Sequence, residues 1–155
     1  MKNLTPLRRL IPAALIAGLL VSAGAQAQFK KVEDAVEYRQ AAFQLLGAHF
    51  GRVGAVVKGE KPYDKASVEA DMAVIEMMAK LPWQAFVPNS TGATSKAKPE
   101  IWSQQEKFKA ATDKMQGELA KLSAAVNGGD LGAIKTAFGA TGQSCKACHD
   151  SFRNK

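Results

Sequence analysis

Asp130-Leu131-Gly132-Ala133-Ile134-Lys135-Thr136-Ala137-Phe138-Gly139-Ala140-Thr141-Gly142-Gln143-Ser144-Cys145-Lys146-Ala147-Cys148-His149 is followed only by residues 150–155. Leu131, Ile134, Phe138, Thr141, Cys145, Cys148 and Phe152 recur in steps of three and four. That spacing lays one stripe of a helix against its neighbours, and Asp130 is a residue type that starts helices. The two cysteines continue the stripe of core residues, so whatever they hold is carried into the packing interior.

Cys145-x-x-Cys148-His149 has the pattern of covalent haem c attachment. The thiols add across two porphyrin vinyl groups as thioethers, and the adjacent imidazole reaches the iron. At about 100° per residue, Cys148 and His149 fall about 60° and 40° either side of Cys145, on one helical face. Nothing from Asp150 to Lys155 is a usual axial ligand, so a second ligand comes from upstream or is absent. Two other uses of the cysteines compete. A thioredoxin-like redox pair needs a βαβ context, which the chain lacks. A zinc site would have to recruit His49 to complete the ligand set.

Residues 1–27 read as a signal peptide. Lys2, Arg8 and Arg9 precede an apolar stretch of 12 residues, Leu10 to Val21, and Ala25-Gln26-Ala27 is an A-x-A cleavage site. The stretch is shorter than the roughly 20 residues of a spanning helix and contains Pro12 and Gly18. The expected mature chain, residues 28–155, is one domain in the bacterial periplasm. Free vicinal thiols would tend to oxidise there, and thioether bonds remove that hazard. The formal charge is +7, of which the three leader cations leave +4 on residues 28–155. The lysines are dispersed, with no basic stripe interleaved with aromatics, which argues against nucleic acid as a partner. Weak steering towards acidic proteins is compatible with this charge.

Three more stripes precede the last one. The first is Val32, Val36, Arg39, Phe43, Leu46, Phe50, Val53, Val57, stopped by Gly59 and Pro62. The second is Val68, Met72, Ile75, Ala79, begun at Asp64 or Ser67 and stopped by Pro82. The third is Ile101, Gln105, Phe108, Thr112, Met115, Leu119, Leu122, Val126. It is opened by Pro99 or a Ser103…Glu106 capping box and closed by Gly128-Gly129. No stretch alternates with period two. Pro88 to Lys98 reads as an exposed loop. The expected fold is all-α, an antiparallel up-down four-helix bundle with haem near one end.

The chain resembles cytochrome c′, the class II c-type cytochromes, which are up-down four-helix bundles. The resemblance lies in Glu33-Asp34-Ala35-Val36-Glu37-Tyr38-Arg39-Gln40, in Leu81-Pro82-Trp83-Gln84-Ala85-Phe86, and in Ala137-Phe138-Gly139 leading to Ser144-Cys145-Lys146-Ala147-Cys148-His149-Asp150. It covers essentially all of residues 28–155. It implies one covalent haem c, with His149 as the only protein ligand and an apolar side chain of the first helix closing the opposite side. That position matches Phe43, where family members often carry Leu or Met. Phe cannot ligate, so a five-coordinate iron follows. Homodimer formation through the first helix is also implied.

Individual residues carry paired readings. Arg39 stands in a core stripe, where an unpaired charge is costly. It pairs with a haem propionate, which the family comparison supports together with Gln40, or it snorkels to the bundle edge. Trp83 and Phe86 line the haem crevice or pack the bundle end. Arg153 lies four residues past His149 and either neighbours the proximal imidazole, as in the resembled family, or complements the helix dipole. Met72, Met77, Met78 and Met115 are core filler at helical spacing rather than ligands. His49 faces away from the haem, as a surface or dimer-interface residue.

The functional expectation is a high-spin, five-coordinate haem c protein, not an enzyme. It binds nitric oxide and carbon monoxide and exchanges electrons. The alternative is a simple electron-transfer cytochrome between acidic periplasmic redox partner proteins, with Lys146 and Lys155 near the haem edge.

Overall fold

The structure, a computed structural model, describes residues 28–92 and 94–155. The leader reading of residues 1–27 lies outside the described residues. The elements are α1 (Val32–Val57), α2 (Lys65–Met78), a 3-10 turn (Pro82–Ala85), α3 (Glu100–Ser103), α4 (Gln105–Gly128) and α5 (Leu131–Phe152). No β-strand is present among the described residues.

The helix ends follow local chemistry. The Asp64 carboxylate accepts the Ser67 amide (3.0 Å) and opens α2; the Asp130 carboxylate accepts the Ala133 amide (2.6 Å) and opens α5. Each satisfies an amide that the first helical turn leaves unpaired. Beyond α1 and α4 the chain turns through Gly59 and Gly129, both at φ +78°, in the left-handed region that glycine enters at least cost.

Helix α1 packs along α2 and α4 along α5, and contacts of α2 with α4 and of α1 with α5 close the square. The chain runs up, down, up, down: the antiparallel four-helix bundle expected from the stripes. At one end Tyr63 donates its hydroxyl to Gly129 O (3.2 Å). At the other, the Lys98 amide donates to Phe152 O (3.0 Å) and the Asn154 amide to Lys96 O (2.8 Å), tying the long connection to the end of α5.

The third stripe departs from expectation. It is not one helix: Gln104, at φ −128° and ψ 51°, separates α3 from α4, and no Ser103 cap opens the long helix. Ile101 is buried under the connection and the Trp102 indole donates to Phe86 O (3.1 Å). Those tertiary contacts pull α3 off the α4 axis, and Gln105 is exposed rather than in the core.

The packed core fills only one half of the bundle. Val53, Val68, Met72, Ile75, Leu119, Leu122, Val126 and Ile134 form it. Towards the middle, Phe50 of α1 stacks on Phe138 of α5, with ring centroids 4.2 Å apart. A Cβ on Gly54 would lie 2.9 Å from the Phe138 ring, so glycine is what lets the two helices meet there. Gly54→Ala is expected to destabilise the protein by about 1–3 kcal/mol through overpacking. Gly117→Ala, where nothing lies within 4 Å, should instead stabilise by roughly 0.5–1 kcal/mol, as a mid-helix glycine replacement does. Thermal melts of the two variants check both signs.

Candidate functional site

Beyond Phe50 and Phe138 the bundle opens into a cavity of about 780 Å³. The residues expected to hold or line the haem all border it. Cys145, Cys148, His149 and Arg153 come from α5, and Arg39, Gln40 and Phe43 from α1. Trp83 and Phe86 come from the connection between α2 and α3. The helix places the motif as its spacing requires. Cys145 and Cys148 are half-buried and His149 is more open, all towards one hollow. Phe43 stands on the facing wall, on α1.

The lining is aromatic. Phe43 meets Trp83 edge-on at 5.6 Å and Phe86 at 6.3 Å, and Phe86 meets Phe108 at 5.1 Å. Phe108 in turn meets Phe152 at 5.2 Å. These tilted arrangements suit ring quadrupoles and hold a stiff apolar wall. Trp83 is fixed by its indole, which donates to Ala79 O (2.7 Å).

The structure overturns one of the two readings of Arg39. It is only 3 % exposed, so it does not snorkel. One terminal nitrogen donates to Ala85 O (2.8 Å) and Ser90 Oγ (2.6 Å), the other to Ser90 O and Ser95 Oγ (2.7 Å). The guanidinium also lies 4.6 Å over the Phe86 ring. No carboxylate partners it among the described residues; burial lowers its pKa, yet an arginine stays charged. Four hydrogen bonds and a ring face therefore compensate the buried charge. Beside it, the Gln40 amide donates to Thr94 O (2.6 Å). Together the two side chains bind the connection that carries Trp83 and Phe86 down onto α1.

Burial raises the pKa of Cys145, and burial followed by the neighbouring Cys145 raises that of Cys148. Burial and the adjacent Arg153 charge lower that of His149, against an opposing contribution from Asp150. The site at neutral pH thus presents a neutral imidazole, the form that coordinates a metal. Arg153 caps the helix: its amide still donates to His149 O one turn back (3.0 Å), its charge acts on the His149 imidazole, and its extended backbone (φ −127°, ψ 132°) then carries the chain out to a bridge with Ala97.

The rival uses of the cysteines gain nothing here. His49 is on the α1–α2 contact, with Nδ1 2.6 Å from Asp71 Oδ1 and Arg52 nearby at 3.3 Å, and it does not border the cavity. It is half-buried, not a free surface residue. Among the described residues no cluster of three or more His, Cys, Asp or Glu could hold a metal ion. Of the four methionines weighed, only Met115 borders the cavity, within the core packing of α4.

Ser90 and Ser95 were not foreseen. Ser90 is fully buried inside a segment whose composition reads as exposed. Hydroxyl burial leaves no trace in a hydropathy pattern. The available signal was Arg39 itself, a core charge needing acceptors from somewhere in the chain.

The cavity fits haem. Its volume is in the range of cofactor sites, its walls are flat aromatic rings, and two thiols and an imidazole enter from one face. Comparison with known proteins agrees. The family profile described as Cytochrome C' matches residues 34–153. Cytochrome c' of Alcaligenes xylosoxydans xylosoxydans is 49% identical over 128 residues, covering 83% of this chain and 99% of the relative. The crystal structure of cytochrome c' from Rubrivivax gelatinosus superposes with a TM-score of 0.79 at 45% identity, covering 82% of this chain and 100% of that one. A mutant of cytochrome c prime from Alcaligenes xylosoxidans was solved as a nitric oxide complex and another variant with carbon monoxide bound. Both are 48% identical with a TM-score of 0.78 and cover 83% of this chain and 99% and 100% of theirs. Fold and site define a class II, four-helix cytochrome. The chain belongs to the cytochrome c′ family, and its cofactor is haem c.

Removing the Ser90 hydroxyl deletes an acceptor for Arg39 and the bond it donates to Val87 O (2.7 Å). Ser90→Ala is expected to cost about 1–3 kcal/mol, because the buried guanidinium loses a partner. It should also make residues 86–98 the first site of limited proteolysis. Melting curves and mass mapping of the first cleavage check this.

Proposed function

We propose that this protein is an exported, periplasmic haem c protein that binds nitric oxide and carbon monoxide at a five-coordinate iron. Residues of the cavity would hold a haem, whose iron would supply the chemistry of binding a diatomic ligand. Cys145 and Cys148 would carry the thioethers, and neutral His149 would be the single axial ligand. Phe43, on the opposite wall, has no atom able to ligate and excludes water and larger molecules.

The observation that carries this reading is the apolar character of the α1 wall around Phe43. Phe43, Leu46, Gly47 and Phe50 offer no polar side-chain atom there. Arg39 and Gln40 spend their terminal nitrogens on the connection, and Gln44, the other polar residue of α1 that borders the cavity, is solvent-exposed. Dioxygen and anions depend on hydrogen bonds for their stabilisation, and nitric oxide and carbon monoxide do not. The nitric oxide and carbon monoxide complexes of the Alcaligenes relative support the same assignment.

Residues 1–27 would be the leader, removed on export. No described helix is long and apolar enough to cross a membrane. Among the described residues no acid–base pair or activated nucleophile lines the cavity beside the proposed haem ligands, which favours a carrier or ligand-binding role over an enzyme. A homodimer through α1 is the expected assembly, and Leu45, 48% exposed on that helix, is an apolar group it would cover.

Titration of the ferrous protein with nitric oxide, followed by visible spectroscopy, tests the proposal. One equivalent is expected to convert the spectrum, and an unchanged spectrum overturns the gas-binding reading. Phe43→Ala is expected to raise the carbon monoxide association rate constant by at least about tenfold, or ~1.4 kcal/mol off the entry barrier. Flash photolysis measures it. An unchanged rate would remove Phe43 as the gate.

A further inference from the structure

Residues 28–155 carry 18 Lys and Arg against 14 Asp and Glu. Their distribution along the bundle axis is uneven. The half containing the cavity is built from residues 28–51, 80–117 and 142–155. It holds 12 of the bases and 7 of the acids, a net +5. The packed half holds the other 6 bases and 7 acids, a net −1.

The excess is concentrated around Cys148. A second, shallower hollow of about 320 Å³ lies between α4 and α5, and Cys148 borders both it and the large cavity. Lys107 and Lys114 border the second hollow, Lys96 and Arg153 the first. All four are exposed, and none forms an ion pair among the described residues. The two cations the sequence had placed at the haem edge contribute less. Lys146 is neutralised by Asp150, one turn away on α5, and Lys155 borders neither hollow. Glu100 also borders the second hollow, but its Oε2 is buried. The exposed rim is therefore positive.

We propose that this rim, Lys96, Lys107, Lys114 and Arg153, is the docking surface for an acidic one-electron donor protein. The charge asymmetry orients an approaching anionic partner so that it meets the chain at the haem attachment point rather than at the packed end. One electron then leaves the partner's reduced centre, which is oxidised by one unit, and ferric iron becomes ferrous. No covalent bond forms or breaks and no proton moves. The proposal rests on haem attachment at Cys145 and Cys148 and is independent of gas binding.

The test uses the haem-loaded protein and a reduced, acidic [2Fe–2S] ferredoxin as probe. Stopped-flow reduction is measured from low to high ionic strength for wild type, for Lys107→Glu/Lys114→Glu, and for Lys58→Glu/Lys61→Glu at the packed end. The two variants have the same net charge, so only position distinguishes them. The rim variant should be reduced about tenfold more slowly at low salt, with the difference vanishing as salt screens it. The packed-end variant should stay within about twofold of wild type. Carbodiimide cross-linking gives a second readout, with cross-links expected at Lys96, Lys107 and Lys114. A salt-independent rate, equal loss in both variants, cross-links at Lys58, Lys61 or Lys65, or tight binding to anionic vesicles that blocks reduction would each overturn the proposal. A normal c-type haem spectrum in every variant separates this failure from loss of the haem itself.

Discussion

A four-helix bundle that packs itself over only half its length depends on what fills the other half. Protein interiors leave few voids larger than a water molecule, yet here aromatic rings surround about 780 Å³. The walls cannot collapse to close it. Phe50 on Phe138 wedges α1 and α5 apart, with Gly54 setting how near they come. On the open side, Arg39 holds the connection as a roof with both terminal nitrogens. The cavity is thus shaped by the same contacts that make the fold. A cofactor bound covalently inside contributes to stability whatever it binds in turn.

The roof divides the site into two regimes. Inside, Arg39 is committed to Ser90 and Ser95 and Gln40 to Thr94, while Gln44 of α1 stays exposed at the cavity border. Beside them on α1 stands the ring of Phe43, flanked by Trp83 and Phe86. Outside, the rim keeps its charges free. The proposed gas site inside and the proposed docking rim outside both follow from where the cations found partners.

The period of the apolar residues made most of this legible. Three of the four stripes placed α1, α2 and α5 within a residue or two, and the continuation of the last stripe through Cys145 and Cys148 put the motif indoors. Asp64 and Asp130 were readable as caps because a side-chain acceptor at that position has a local job. What escaped was tertiary. The break at Gln104 arises because Ile101 and Trp102 pack under the connection, and Ser90 is buried because Arg39 needs oxygens. Arg153 leaves the helix to meet Ala97. Each depends on a segment distant in sequence, which periodicity does not encode. Motif and resemblance picked out residues that border one cavity, while their hydrogen-bond partners were not foreseen.

The central claim is an iron held on one side by His149 and faced on the other by a ring that cannot bind it. Electron paramagnetic resonance of the ferric protein at neutral pH, without added ligand, reads this directly. The account predicts a high-spin, five-coordinate signal. A low-spin signal, showing a sulfur or nitrogen from Met115 or another side chain across from His149, would contradict it.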